Sequence, residues 1–212
     1  MPRMSTSTAT ESTRATSYSG STSLRSLVER GAKREEIASH LDALGSTERL
    51  AQVLDVTGAL VGKLYDLVGG GEPLGVDDFA PPAGSDTLIL EGRNSLPAFS
   101  RFQKRFTRIG EITLGYNHQT MSPLTGPGYF VVRPPTPGET HPDELFFDYT
   151  IEPPRGAPRD WPAFSSNKSG LSRLVYMDMK DFCRRVAKGV LVGKAYKRGI
   201  AQDAYFTLTK PF

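Results

Sequence analysis

Apolar residues recur along this chain with two different periods, and the change falls near residue 85. Before it, they repeat at intervals of three and four, the spacing of one helix face. Leu24, Leu27 and Val28 predict a short helix over 23–31. Ile37, Leu41 and Leu44 predict a second over 34–44, with Gly45 placed to stop it. A longer stripe from Leu50 and Val53 through Val61, Leu64 and Val68 predicts a third helix over 47–68. Ser46 is its candidate cap, and Gly58 and Gly62 weaken it. Their four-residue spacing allows another element to come close, although it is diagnostic only in membranes. Gly69, Gly70 and Gly71 end the helical part. The acids and prolines of 72–85 read as a linker or surface loop.

Beyond that point alternation takes over. Strands are predicted at 87–91, 111–118, 128–133, 145–152, 171–177, 190–197 and 204–210, separated by Gly- and Pro-rich turns such as 122–128 and 153–156. Two segments keep a helical spacing. Phe99, Phe102, Phe106 and Ile109 stripe 96–109, and Phe182, Cys183 and Val186 stripe 178–188. Gly92 beside Arg93, and Gly193 beside Lys194, are strand glycines of the kind that mark sharp bends. The expected class is therefore α+β: N-terminal helices followed by a mainly antiparallel β-rich domain. A closed or partly open barrel of lipocalin-like form fits best, as a fold-level analogy that carries no function.

Composition divides the 212 residues further. Residues 1–22 are dominated by Ser and Thr and hold almost nothing apolar, which predicts a disordered tail. The tail lacks the apolar core of a secretory signal. Its Ser-rich, acid-poor makeup with Arg3 and Arg14 leaves a transit peptide as the alternative. An acidic helical segment follows over 23–70, and a β-rich domain with basic helices over 86–212. No apolar run reaches the ~20 residues needed to span a bilayer. The lone Cys183 excludes an intrachain disulfide and reads as a small buried residue, so cytoplasmic residence is the default expectation.

Charge is more informative than its net value of +3. Residues 29–91 carry five Lys or Arg against twelve Asp or Glu, and residues 92–212 carry eighteen against ten. The simpler consequence is that the acidic helices dock on the basic part. The alternative is an anionic partner, nucleic acid or an acidic protein, for the basic stretches 92–110 and 180–198.

Motifs remove several chemistries. His40, His118 and His141 lie far apart, so zinc spacing is absent, and His40 is expected on an exposed helix face. There is no phosphate loop, no dinucleotide-binding turn and no nucleophile elbow, and no cofactor is implied. What remains is a pocket. Ile112, Leu114, Tyr116 and His118 share one strand face that turns from apolar to polar, with Asn117 beside them. His118 is the candidate acid or base. Leu145, Phe147 and Tyr149 share another face. Asp148 points outward if that face is core, and into a cavity near His118 if it is not. Tyr129, Tyr149, Tyr196 and Arg93 complete the candidate ligand contacts. The leading expectation is a small apolar or amphipathic ligand in a β-barrel pocket. A cofactor-free isomerase, cyclase or hydrolase using His118 and Asp148 comes second, and an interaction protein third.

Overall fold

The computed structural model describes residues 22–97, 100–119, 125–139 and 144–211. The expected tail (but for Thr22), Phe99, part of the turn at 122–128 and His141 lie outside these residues.

Four helices lead the described residues. In α1 (Leu24–Glu29) the Ser23 and Ser26 hydroxyls each accept from the other's backbone N–H, a reciprocal cap. α2 (Arg34–Ala43) follows as the spacing predicts. The third predicted helix is broken in two, α3 (Ser46–Asp55) and α4 (Ala59–Leu67), because Gly58 adopts φ of 58°. That left-handed conformation suits glycine alone and cannot continue a helix. Ser46 is the first residue of α3, and Gly45 holds the cap position.

Eight strands then wind in sequence order: β1 (Leu88–Asn94), β2 (Arg101–Ile109), β3 (Ile112–His118), β4 (Tyr129–Arg133), β5 (Leu145–Asp148), β6 (Met179–Ala187), β7 (Val190–Lys197) and β8 (Ile200–Thr209). Each pairs antiparallel with the next, and β1 pairs with β8, so the sheet closes into a barrel. The expected α+β architecture with a lipocalin-like barrel is the one the chain adopts. Three local expectations are corrected. The segments read as helices at 96–109 and 178–188 form β2 and β6, and the strand expected at 171–177 is replaced by a short helix, α5 (Ser172–Val175). In β6 neighbouring residues are covered on both faces, which hides the alternation that marks a strand, whereas in β2 the phenylalanines happen to satisfy a helical spacing too.

One face of each strand fills the interior. Phe102, Lys104 and Phe106 enter from β2, Gly115 and Asn117 from β3, and Asp181 and Cys183 from β6. Rings lie over the inward glycines. A Cβ on Gly115 would sit 2.6 Å from the Phe130 ring, and one on Gly193 would sit 2.2 Å from the Phe206 ring. The segment at 72–85 is more than a linker. Its 3-10 turn (Val76–Phe79) inserts the fully buried Phe79 against Phe106 and Phe147, with ring centroids 5.0 and 5.2 Å away. Leu74 joins the same cluster, so this segment plugs one end of the barrel.

The helices pack on the outside. Leu27, Leu41, Val53, Val61 and Leu64 bury against Val186, Val190 and Val192. α2 lies on β6, α4 on β7 and β8, and α3 across the seam where β8 meets β1. Gly62 lets the Tyr205 ring approach α4, to 3.1 Å from where a Cβ would stand. Acidic and basic parts meet as their charges suggest. Arg185 binds Asp78 at 2.7 Å, and the Lys188 amide donates to Asp42 at 2.9 Å. Arg108 reaches the exposed Asp77, a pair worth at most about 1 kcal/mol. The firmer contact is buried. Glu144 accepts from both the Tyr65 hydroxyl and Arg184 Nε, and the Arg184 guanidinium lies 3.9 Å over the Tyr65 ring.

Replacing Phe79 by alanine removes the plug and is expected to cost about 3–5 kcal/mol of stability in urea unfolding. A loss below about 1 kcal/mol would mean that the barrel closes without it.

Candidate functional site

Lys104 stands at the centre of the barrel. It is 2% exposed, and all three of its ammonium protons have acceptors: Asn117 Oδ1 at 2.8 Å, the Tyr149 hydroxyl at 2.5 Å and Asp181 Oδ2 at 3.0 Å. The Tyr149 hydroxyl donates in turn to Asp181 Oδ2 at 3.1 Å, and Asn117 Nδ2 donates to the Gly128 carbonyl at 3.2 Å. Strands β2, β3 and β6 contribute one group each, and Tyr149 lies just past the end of β5. Strand register makes the meeting possible, since Lys104 and Asn117 are direct cross-strand partners. Phenylalanine rings surround the ammonium, with Phe130, Phe206 and Phe147 centroids 4.7, 5.0 and 5.1 Å from Nζ. Cation–π attraction of about 1–2 kcal/mol at such desolvated positions adds to the ion pair.

Above this cluster the interior is open. A cavity of about 320 Å³ is walled by Phe102, Tyr176, Met179, Ala195 and Phe206 and bordered by Leu96, Lys197 and Gln202. Lys104, Asn117, Tyr149 and Asp181 form its polar floor. Tyr176 stacks on Tyr149 at 5.5 Å and accepts a hydrogen bond from Gln119 Nε2 at 3.0 Å. The bend at Gly128 packs closely on this wall. At Gly128 a Cβ would strike the Tyr176 ring at 2.5 Å, and its φ is 58°.

Burial governs the ionisation of the floor. It pulls the Lys104 ammonium below its ordinary value, and Asp181 opposes the pull. Burial pushes the Tyr149 phenol well above its ordinary value, so Tyr149 remains a proton donor. Burial also raises Tyr176, to about 12, and holds the Cys183 thiol in its neutral form.

Of the residues singled out in the sequence, Asn117 and Tyr149 line the cavity and the others do not. His118 is exposed on the outer face of β3, beside the Tyr116 ring. Partial burial and the nearby Arg105 lower its pKa. Asp148 follows the outward alternative. It is 1% exposed, yet the groups covering it lie outside the barrel: Arg133 at 2.8 Å, and the Thr150 amide and hydroxyl. Strand β4 separates the strands that carry His118 and Asp148. Tyr116 and Tyr129 belong to an outer cluster under Trp161, whose ring is 4.7 Å from that of Tyr116. Arg93 alternates with the inward Leu90 and Gly92 pattern and faces outward. Tyr196 borders a second hollow, about 550 Å³, on the outer face beside Phe182 and Arg198. Glu139 in that hollow is held by Arg133 and Lys180, which keep its carboxyl far below the usual range, as expected of a structural ion cluster. His40 departs from the exposed placement, being half-buried with Nε2 2.8 Å from Gln52 Oε1.

Sequence reading missed Lys104 and Asp181, since both sat in segments taken as helices. The signal for Lys104 was present. Phe102, Lys104 and Phe106 alternate with Gln103 and Arg105, which puts the lysine on the apolar face of a strand.

Among the described residues, no group of three His, Cys, Asp or Glu side chains is placed to hold a metal ion, and no helix is long and apolar enough to cross a membrane. Compared with known protein families, curated proteins and solved structures, the chain matches none.

Asp181→Asn leaves the Lys104 charge without its counter-ion and is expected to destabilise the protein by about 3–5 kcal/mol near neutral pH. Asp181 opposes the lowering of the Lys104 pKa by burial, so its loss lowers that pKa further, and raising the pH neutralises Lys104 in the folded variant before it does so in the folded wild type. The deficit relative to wild type should therefore shrink as pH rises from about 7 towards the ordinary lysine value of ~10.4. Urea unfolding of both proteins across that range reads it directly.

Proposed function

We propose that the barrel binds a small, electrically neutral amphipathic molecule. Its polar oxygen meets Lys104, Asn117 and Tyr149, and its apolar body lies along Phe102, Tyr176, Met179 and Phe206. The observation that carries this reading is the cavity itself: apolar walls ending in one compact polar floor, the usual makeup of a small-molecule pocket. A purely structural polar cluster needs no cavity above it.

Neutrality follows from the floor's charge. Lys104 already has Asp181 3.0 Å away, so the cluster carries no net charge. A ligand carboxylate would bring a second anion beside Asp181 where screening by water is weak. A hydroxyl or carbonyl oxygen takes over a hydrogen bond that the lysine now gives to Asn117 or Tyr149, without that penalty. The other readings gain less. His118 borders no part of the cavity, and the basic stretches are partly consumed: Lys104 turns inward, while Arg108, Arg184 and Arg185 are each met by an acid.

Isothermal titration with 1-octanol and with octanoate tests the proposal. Octanol is expected to bind more tightly than octanoate by about tenfold or more, roughly 1.4 kcal/mol. Ala204→Trp, which fills the cavity wall, should abolish both. Tighter binding of octanoate would sink the neutral-ligand reading.

A further inference from the structure

Resting on that pocket reading, we infer that the ligand is an aldehyde or ketone and that Lys104 Nζ condenses with its carbonyl carbon to form an imine. Lys104 is the only buried lysine of the nine in the chain, all of which lie among the described residues. Its Nζ belongs to the floor of the cavity, so a carbonyl group entering with its apolar body against the walls arrives at this nitrogen. Proximity of this kind is the main requirement for amine attack.

The surrounding groups supply the proton movements. Asp181, at 3.0 Å, takes a proton from the ammonium and frees the nitrogen lone pair. The amine attacks the carbonyl carbon. The C=O π electrons move to oxygen, towards which the Tyr149 hydroxyl, 2.5 Å from Nζ, turns the hydrogen bond it gave to Asp181 before that carboxylate was protonated. The resulting carbinolamine oxygen takes up protons from the nitrogen and from Asp181 and leaves as water. The nitrogen is left doubly bonded to the former carbonyl carbon. Nothing is oxidised or reduced, and hydrolysis runs the same steps backwards. Burial favours the free amine needed at the start.

The product suits the site as well as the reactant does. A protonated imine keeps one N–H and one positive charge, so the ion pair with Asp181 survives condensation. The rings of Phe130, Phe147 and Phe206 still surround the cation. Asn117 and the Tyr149 hydroxyl lose the lysine as a donor, but they already bond each other, with Asn117 Nδ2 donating to the hydroxyl at 3.1 Å.

The full chain is incubated with octanal and sodium cyanoborohydride, which fixes an imine as a stable secondary amine, and the label is located by peptide mass spectrometry. The expected result is one octyl group, placed on Lys104 ahead of every other lysine, including Lys197 at the cavity border. Lys104→Arg keeps a cation for Asp181 but cannot form the imine, and the label on the peptide containing residue 104 should be lost. Retained urea stability of that variant separates lost chemistry from lost folding. In wild-type protein, labelling confined to Lys197 or to surface lysines overturns the inference whether or not the variant folds. If octanol binds in titration but octanal leaves Lys104 unlabelled, the imine fails while the pocket reading stands. If neither compound binds and no label appears at Lys104, both fail.

Discussion

A lysine ammonium inside a barrel of phenylalanine has to be neutralised where it lies. Left alone in such surroundings, a charge costs several kcal/mol even after the protein relaxes. The structure meets that demand from strands distant in sequence. Asp181 comes from β6, Asn117 from β3, and Tyr149 from just beyond β5. The demand also fixes register. Sliding β2 by one residue would turn Lys104 outward and bring Gln103 or Arg105 inward, leaving Asp181 as a buried carboxylate without its lysine. One ion pair and the amide that joins it thus tie the alignment of three strands to the electrostatics of the interior.

Volume inside the barrel is shared unevenly between its two ends. Towards the plug, rings of Phe79, Phe106, Phe130 and Phe147 meet with centroids between 5.0 and 5.6 Å apart. Inward glycines such as Gly115 make room for them. Towards the other end, Ala195 and Ala204 replace large side chains, and the 320 Å³ cavity is what they leave. The polar tetrad sits at the boundary between the filled and the open part. Its hydrogen bonds satisfy groups that neither phenylalanine nor an empty space can.

How much of this was legible depended on which signal dominated locally. β3 was plain from alternation, β7 over Val190–Lys197 from its short apolar run between turns, and Gly58 was visible as a weak point where the helix in fact breaks. β2 was obscured because Phe102, Phe106 and Ile109 satisfy a helical spacing, although in the strand Ile109 faces outward while Phe102 and Phe106 face inward. In β6, Phe182 packs on Phe146 outside while Cys183 packs inside, so neighbours are both buried and no period shows. That double cover hid Asp181. Asn117 and Tyr149 were found because each is a polar group next to apolar strand residues. The same logic also picked Tyr116 and Tyr129, whose outer face is apolar only because the loop carrying Trp161 folds over it. Nothing local announces that such a loop will return.

The helices are made before the barrel, and most of the surface they pack on belongs to β6, β7 and β8. Leu27, Leu41, Val53 and Val61 have no barrel partner until residues 179–209 have been made. During that interval the helices have only one another to cover their apolar stripe, and partly covered apolar surface is the condition that invites aggregation or chaperone capture. Barrel closure and shielding of the helices then fall together, once β6 to β8 have been made. The opposed charges of the two halves gain a kinetic meaning, since attraction at long range shortens the search by which they meet.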